Sequence, residues 1–211
     1  MSTTHGHLWI VSAPSGGGKT SLSRALLPRL AALGVHAQIS VSHTTRAPRA
    51  GEVDGSHYHF IDETRFVERI AANAFLEHAH VFGRRYGTAR AETEALLATG
   101  RDVVLDIDWQ GARQVRAAVP EAKSVFILPP SRLELERRLR GRGTDADSVI
   151  AERMALARDE MSHFAEYESL VVNEDFETAL QQLIALFLAP RLALQHQQAR
   201  YGTLIAELLE N

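Results

Sequence analysis

At 211 residues the chain is long enough for one compact domain with a substantial core, and 45% hydrophobic with 23% charged residues is an ordinary globular balance. A net charge of −3 gives no global attraction for nucleic acid, no apolar run is long enough to cross a bilayer, and the absence of cysteine excludes disulfides, thiolate metal sites and cysteine nucleophiles. Met1–His7 lacks the charged and apolar stretches of a secretory signal, which together with the missing cysteines points to the cytoplasm.

Leu8–Ser12 reads as a short buried strand. It leads into Ala13-Pro14-Ser15-Gly16-Gly17-Gly18-Lys19-Thr20, and then into Leu22, Leu26, Leu27 and Leu30, whose spacing predicts an amphipathic helix over 19–33. Strand, glycine loop, Lys-Thr and helix are the setting of a phosphate-binding loop. Three glycines let the backbone wrap a phosphate chain and aim N–H groups inward, and the helix N-terminus adds a favourable dipole. Lys19 brings a positive charge, and Thr20 a hydroxyl placed to hold Mg²⁺. Ala13 replaces the first glycine of the G-x-x-x-x-G-K-[ST] pattern but is small enough for the same close approach.

Residues 36–90 read as a mostly antiparallel insertion. Gln38–Ser42, Tyr58–Ile61 and Phe75–Phe82 look like strands, Gly51, Asp54-Gly55 and Gly83 punctuate them, and a short helix falls around 63–72. Arg46 and Arg49, three apart and stiffened by Pro48, can converge on one phosphate through their planar forks. Tyr58 and Tyr86 offer hydroxyls nearby if the strands pair. Glu77 by itself reads as an exposed strand carboxylate. His43, His57, His59, His78 and His80 read as solvent-facing strand residues rather than metal ligands or bases.

Val103–Ile107, Val125–Leu128 and Leu170–Val172 are further buried strands, and helical patterns follow at 131–140 and 176–188. Alternation with helices predicts an α/β fold with a parallel sheet. Ser131 with Glu134 forms a capping-box pattern, and Thr144 with Asp147 suggests another cap, opening a helix through about 162. Residues 131–163 read as a helical excursion hinged at Gly141 and Gly143. Its arginines, Arg132, Arg137, Arg138, Arg140 and Arg142, read mostly as a solvated face, although local arginine clusters suit small anionic ligands. After Pro190 the chain is helical again. Tyr201, Leu204, Ile205, Leu208 and Leu209 share a face that is expected to pack on the domain itself, the alternative being a subunit contact in a homo-oligomer.

Seven stretches, in order, carry a resemblance: S-A-P-S-G-G-G-K-T-S-L (12–22), S-V-S-H-T-T-R-A-P-R-A-G-E (40–52), Y-H-F (58–60), F-G-R-R-Y-G-T (82–88), V-L-D-I-D-W-Q-G (104–111), G-R-G-T (141–144) and V-V-N-E-D (171–175). Through them the chain resembles the guanylate kinases. The resemblance implies a P-loop NTPase-type parallel core (about 5–35, 91–130 and 164–189), a GMP-binding insertion (36–90), a helical lid (131–163) and a tail (190–211) outside the likeness. It implies transfer of the ATP γ-phosphate to GMP, giving ADP and GDP, with dGMP as a second acceptor, Mg²⁺ as cofactor, and no nucleic acid or membrane partner.

By the same similarity, Ala13, Pro14, Ser15, Gly16, Gly17, Gly18, Lys19, Thr20 and Ser21 would bind ATP with Arg142 and Asn173, the last beside the adenine. Thr20 would hold Mg²⁺ with waters, and Asp106 would stand behind it. Ser42, Glu77 and Thr88 would surround the guanine, while Arg46, Arg49, Tyr58 and Tyr86 would hold the GMP phosphate, buttressed by Glu52. Asp106 and Asp108 would lie near the nucleoside and the metal-water shell. Lys19, Arg46, Arg49, Arg138, Arg142 and Arg153 would supply the catalytic positive charge, the lid arginines arriving on closure. Base chemistry suits these roles: guanine N1–H and N2–H₂ are adjacent donors that a carboxylate accepts together, and O6 accepts a hydroxyl proton from Ser42 or Thr88. A non-catalytic peptide-binding scaffold domain and a kinase for another acceptor are the rivals. The intact glycine loop with Lys19-Thr20 opposes the first, and the 40–52 segment with Glu77 the second.

Overall fold

The computed structural model describes residues 5–81, 83–141 and 146–210. Phe82 and the stretch Arg142, Gly143, Thr144 and Asp145 lie outside the described residues, so the readings placed on Arg142 and Thr144 are not carried into the structure.

The core is a five-stranded parallel sheet in the order β2-β7-β1-β8-β9, made of β1 (Leu8–Ser12), β2 (Ala37–Ile39), β7 (Asp102–Asp106), β8 (Lys123–Leu128) and β9 (Ser169–Val172). Strand β1 shows why its sequence is apolar throughout. Trp9 and Val11 enter one core with Leu22, Leu26 and Leu30 of α1 (Lys19–Ala32) and Leu180, Leu183 and Phe187 of α7 (Phe176–Leu188). Leu8 and Ile10 enter the opposite core with Leu97 of α3 (Arg90–Ala98) and Val115 of α4 (Trp109–Ala118). A strand covered by helices on both faces has no polar side. Each fully buried leucine contributes roughly 1.5–3 kcal/mol, which outweighs the interior Pro28 that α1 tolerates. Trp9 stacks on Phe187 with ring centroids 3.9 Å apart.

A second, four-stranded sheet runs β4-β3-β6-β5, from β3 (His43–Thr44), β4 (His59–Phe60), β5 (Phe75–Val81) and β6 (Arg84–Ala89). Only β3 and β4 are parallel; the β3–β6 and β5–β6 pairs are antiparallel, so the mostly antiparallel character holds. Helix α2 (Glu63–Ala71) buries Phe66 against it. Of the strand predicted at Gln38–Ser42 only the start is strand, as the end of β2 in the core sheet; residues 40–42 cross over to β3, which begins at His43 in the second sheet, and the core keeps residues 37–39 that the sequence assigned to the insertion. Ser40 N–H still bonds Val104 O of the core, whereas Ser42 O already accepts His59 N–H of the second sheet. The chain therefore changes sheets around Val41. Strand β6 and helices α3 and α4 are additions to the predicted elements.

Helices α5 (Arg132–Arg140) and α6 (Asp147–Ser162) form the excursion, with a small core of Leu135, Leu139, Ile150 and Ala157. Ser131 caps α5 as predicted, accepting Glu134 N–H at 3.1 Å; such a cap is worth about 1 kcal/mol. Helix α6 has Ala146 at its N-cap, with no side-chain cap, and runs through Ser162, as the predicted end near 162 requires. The tail helix α8 (Leu194–Leu209) kinks at Tyr201 and buries no residue. Its apolar face, with Leu208 73% and Leu209 78% exposed, does not pack on the domain, against the expectation.

Candidate active site

Parallel strands β1 and β7 end side by side, pairing Val11 with Asp106, and place their following loops together at the carboxyl edge of the sheet. Between β1 and α1 the glycine loop turns tightly, Gly17 N–H donating to Pro14 O at 2.8 Å. Gly18 stands at the helix N-cap with φ 98°, a left-handed conformation suited to glycine, and supplies no capping side chain. A Cβ there would come within 2.2 Å of Asn173 Nδ2. The opening N–H groups of α1, at Lys19, Thr20 and Ser21, are thus left for an anion. Loop residues between Ala13 and Ser21, with Glu160 of α6, line a cleft of about 250 Å³. Ala13 itself is packed into the core, as its replacement of glycine allows.

Lys19 Nζ lies 2.5 Å from Asp106 Oδ1 and donates to Ile107 O at 3.2 Å. Burial works to strip its proton, but Asp106, then Glu160 and Asp108, outweigh it and raise its pKa. Thr20 Oγ1 faces Asp106 Oδ2 at 3.5 Å.

A second cleft, about 200 Å³, is lined by Asp106 and Ile107, the two residues that Lys19 of the first cleft touches. Ser42, Tyr58, Glu77, Tyr86 and Asp108 line its walls. Glu77 on β5 is only 3% exposed, and its Oε1 accepts the Thr88 hydroxyl at 2.6 Å. Burial, with the Asp108 charge adding to it, pushes its pKa up to about 7 despite that hydrogen bond. Asp108 caps α4, accepting Gly111 N–H at 2.8 Å. Thr88 is fully buried behind Glu77, to which its hydroxyl donates. Ser42 lines the cleft, and Thr88 does not.

Tyr58 and Tyr86 do come together across β3, edge to face at 6.0 Å, and Arg46 lies 5.3 Å over the Tyr58 ring. Glu52 binds Arg46 Nη2 at 2.8 Å and Arg49 N–H at 2.7 Å, which organises the arginine loop and holds its own pKa down at about 2. The Arg49 guanidinium remains exposed. His43, unlike the predicted solvent-facing residue, is buried and stacks on His59 at 4.6 Å.

On the excursion, Arg153 Nη2 donates to Ser15 Oγ at 2.8 Å, and Glu160, one further heptad along α6, accepts Ser15 N–H at 2.9 Å. Sequence reasoning missed Glu160, although its spacing from Arg153 puts both on one face. Arg138 is not aimed at the cleft; it binds Glu134 at 2.7 Å and Asn173 O at 3.0 Å. Asn173 is 5% exposed and its amide donates to Gly17 O at 3.0 Å, which braces the phosphate loop. Among the described residues no group of three or more His, Cys, Asp or Glu could hold a metal, and no helix is long and apolar enough to cross a membrane.

Comparison with known proteins bears directly on this pair of clefts. The family model described as "Guanylate kinase" matches residues 5–189, ending where the uncovered tail begins. The guanylate kinase of Salmonella choleraesuis (strain SC-B67) is 58% identical over 204 residues, spanning 97% of this chain and 98% of its own. That of Escherichia coli (strain K12) is 57% identical with the same coverage. Among solved structures, guanylate kinase from Anaplasma phagocytophilum superposes with a TM-score of 0.73 at 32% identity, covering 92% of this chain and 90% of that one. Two clefts linked by the Lys19–Asp106 contact, a matching architecture and near-complete alignment to these relatives agree: the chain belongs to the guanylate kinase family.

Proposed function

We infer that this protein transfers the γ-phosphoryl group of ATP to the phosphate of GMP, producing ADP and GDP. The observation that carries the reading is Lys19, which touches Asp106 and Ile107, the residues through which the phosphate-loop cleft and the Glu77 cleft adjoin. A donor anion on the loop and an acceptor anion in the second cleft would meet at one ammonium group.

The acceptor is a phosphate oxygen, already largely ionised at neutral pH because a phosphate monoester has its second pKa near ~6. No general base is needed; positioning and charge neutralisation do the work. An acceptor oxygen forms a bond to the γ-phosphorus, the bond from that phosphorus to the bridging oxygen breaks, and its electron pair leaves on ADP. In this scheme Lys19 and the α1 N-terminus neutralise the ATP phosphates. Arg46 and Arg49 grip the GMP phosphate with the Tyr58 and Tyr86 hydroxyls, and Glu52 keeps the two arginines in place. Glu77 accepts guanine N1–H and N2–H₂ while Ser42 donates to O6. Adenine presents an unprotonated N1 to the same carboxylate and is rejected.

Arg153 already reaches the loop, whereas Arg138 must leave Glu134 and Asn173 before it can touch a nucleotide. Closure of the excursion would also exclude water from the transfer. For Mg²⁺, the Thr20 hydroxyl beside Asp106, without a cage of carboxylates, fits a cation that keeps its waters and binds through ATP phosphates. When bound, the ion would offset the charge between the β- and γ-phosphates.

We place the activity in the cytoplasm, with dGMP as a second acceptor, and read the exposed face of α8 as a subunit contact. A coupled ADP-release assay with GMP, dGMP, AMP, UMP and dTMP tests the function. Turnover confined to GMP and dGMP is expected; GMP binding without turnover would sink it in favour of a non-catalytic binding domain.

A further inference from the structure

Glu77 sits on β5, the edge strand of the second sheet, so half of that strand's backbone groups face away from β6 and need partners. At His78, the residue after Glu77, one side chain of α4 satisfies both. Gln114 Oε1 accepts His78 N–H at 3.0 Å, and Gln114 Nε2 donates to His78 O at 2.8 Å. A primary amide in this pose imitates the peptide group of a neighbouring strand. It therefore fixes β5 at one register position, where an apolar contact would let it slide.

Nearly one turn earlier on the same helix, Gly111 abuts the Glu77 carboxylate. A Cβ at 111 would lie 2.7 Å from Oε2, closer than such atoms approach, and 3.2 Å from Cδ, a tight contact, so the carboxylate would have to shift. The opposite oxygen, Oε1, is held by Thr88. The carboxylate is thus held on one oxygen by a hydroxyl and confined at the other by a bare helix backbone, while its strand is pinned through the next residue. Neither Gly111 nor Gln114 lines the cleft, so neither is a ligand contact.

We propose that Gly111 and Gln114 are specificity-determining positioning residues, through which α4 sets the Glu77 carboxylate to face two adjacent donors on the purine edge. This rests on the guanine-reading role given to Glu77 above. If α4 sets the register, loosening it harms recognition of the second donor, the 2-amino group, more than it harms ATP binding.

Steady-state kinetics of Gly111→Ala and Gln114→Met with GMP and with inosine monophosphate, which lacks the 2-amino group, test this. Alanine is a better helix former than glycine, and the obstructed atoms belong to a side chain, so Gly111→Ala is expected to fold; melting curves verify both variants. For each, KM for GMP should rise by about tenfold and the kcat/KM preference for GMP over inosine monophosphate should shrink by roughly fivefold or more, with KM for ATP within about twofold of wild type. Glu77→Gln serves as the reference. If it leaves the preference unchanged, the Glu77 reading fails and this proposal with it. If Glu77→Gln abolishes the preference while Gly111→Ala and Gln114→Met keep wild-type KM and preference, this proposal alone is overturned. A rise in KM for ATP equal to that for GMP would also overturn it, since that is the mark of general loosening.

Discussion

Glu77→Gln separates the cost of the acceptor site from its use. The substitution keeps shape and the oxygen that accepts from Thr88 but removes the charge. Burial holds the carboxyl pKa at about 7 against an ordinary 4.5, and at about 1.4 kcal/mol per unit that difference is worth roughly 3 kcal/mol. The folded state binds this proton more tightly than the unfolded chain does. The associated stability is therefore complete below about 4.5 and is lost as pH rises through about 7. Above that, the ligand-free enzyme carries a buried charge that glutamine lacks. At pH ~8 the variant should be more stable by up to roughly 3 kcal/mol, a rise in melting temperature on the order of 10 °C for a domain of this size, and the advantage should vanish near pH ~4.5. Its kcat/KM for GMP should fall about 100-fold, because the amide turns a donor toward guanine N1–H and the charge-assisted bonds are lost. Scanning calorimetry at the two pH values measures the first effect. Titration calorimetry near pH ~6 in buffers of different ionisation heat measures a second: both proteins should release the share of a proton that the GMP phosphate gives up on binding, and wild-type Glu77 should add to it a release that the variant lacks. A variant no more stable than wild type at alkaline pH, with unchanged proton release, would refute the assignment of a buried, proton-holding carboxylate.

Other perturbations reach the remaining parts of the site. Lys19→Met should lower kcat by about 1,000-fold or more with little change in KM for GMP; a loss under about tenfold in single-turnover assays would remove Lys19 from the centre of the mechanism. Asn173→Ala should raise KM for ATP several-fold by freeing Gly17 O, with no change in the preference for ATP over GTP; an altered base preference would restore the adenine contact the sequence suggested. Burial first, and then the Arg69 charge, hold the His43 pKa down at about 4. Its stabilisation is therefore full above about 6.5 and is lost by roughly 3 kcal/mol as pH falls to about 4. His43→Phe should flatten that acid limb in urea titrations at pH ~7 and ~4.5, and parallel limbs for both proteins would contradict it.

Local chemistry made much of this protein legible in its sequence. The bounds of β1 and α7, the Ser131 cap and the glycine loop follow from apolar runs, capping residues and backbone freedom within a few positions. So do the arginine pair and its Glu52 brace, which sit within one short loop. The strand at residues 38–42 was misjudged because nothing local marks a change of sheet; partners far away, Val104 and His59, decide it. The tail's apolar face was legible as a pattern, but where it packs was not.

The sequence alone determined that a phosphate-binding loop stands at the end of a buried strand, because that depends on residues joined in order. Tertiary structure decided what Glu77, Thr88 and Asn173 do. In sequence Glu77 is a carboxylate on an alternating strand, indistinguishable from a solvated one. Its burial comes from a helix more than thirty residues later, whose Gly111 leaves room for the carboxylate and whose Gln114 fixes the strand. Chain order likewise leaves open what the Thr88 hydroxyl and the Asn173 amide bind within the fold, and packing turns one to Glu77 and the other to Gly17. Desolvation and hydrogen-bond direction are properties of neighbours in space, and chain order does not specify them.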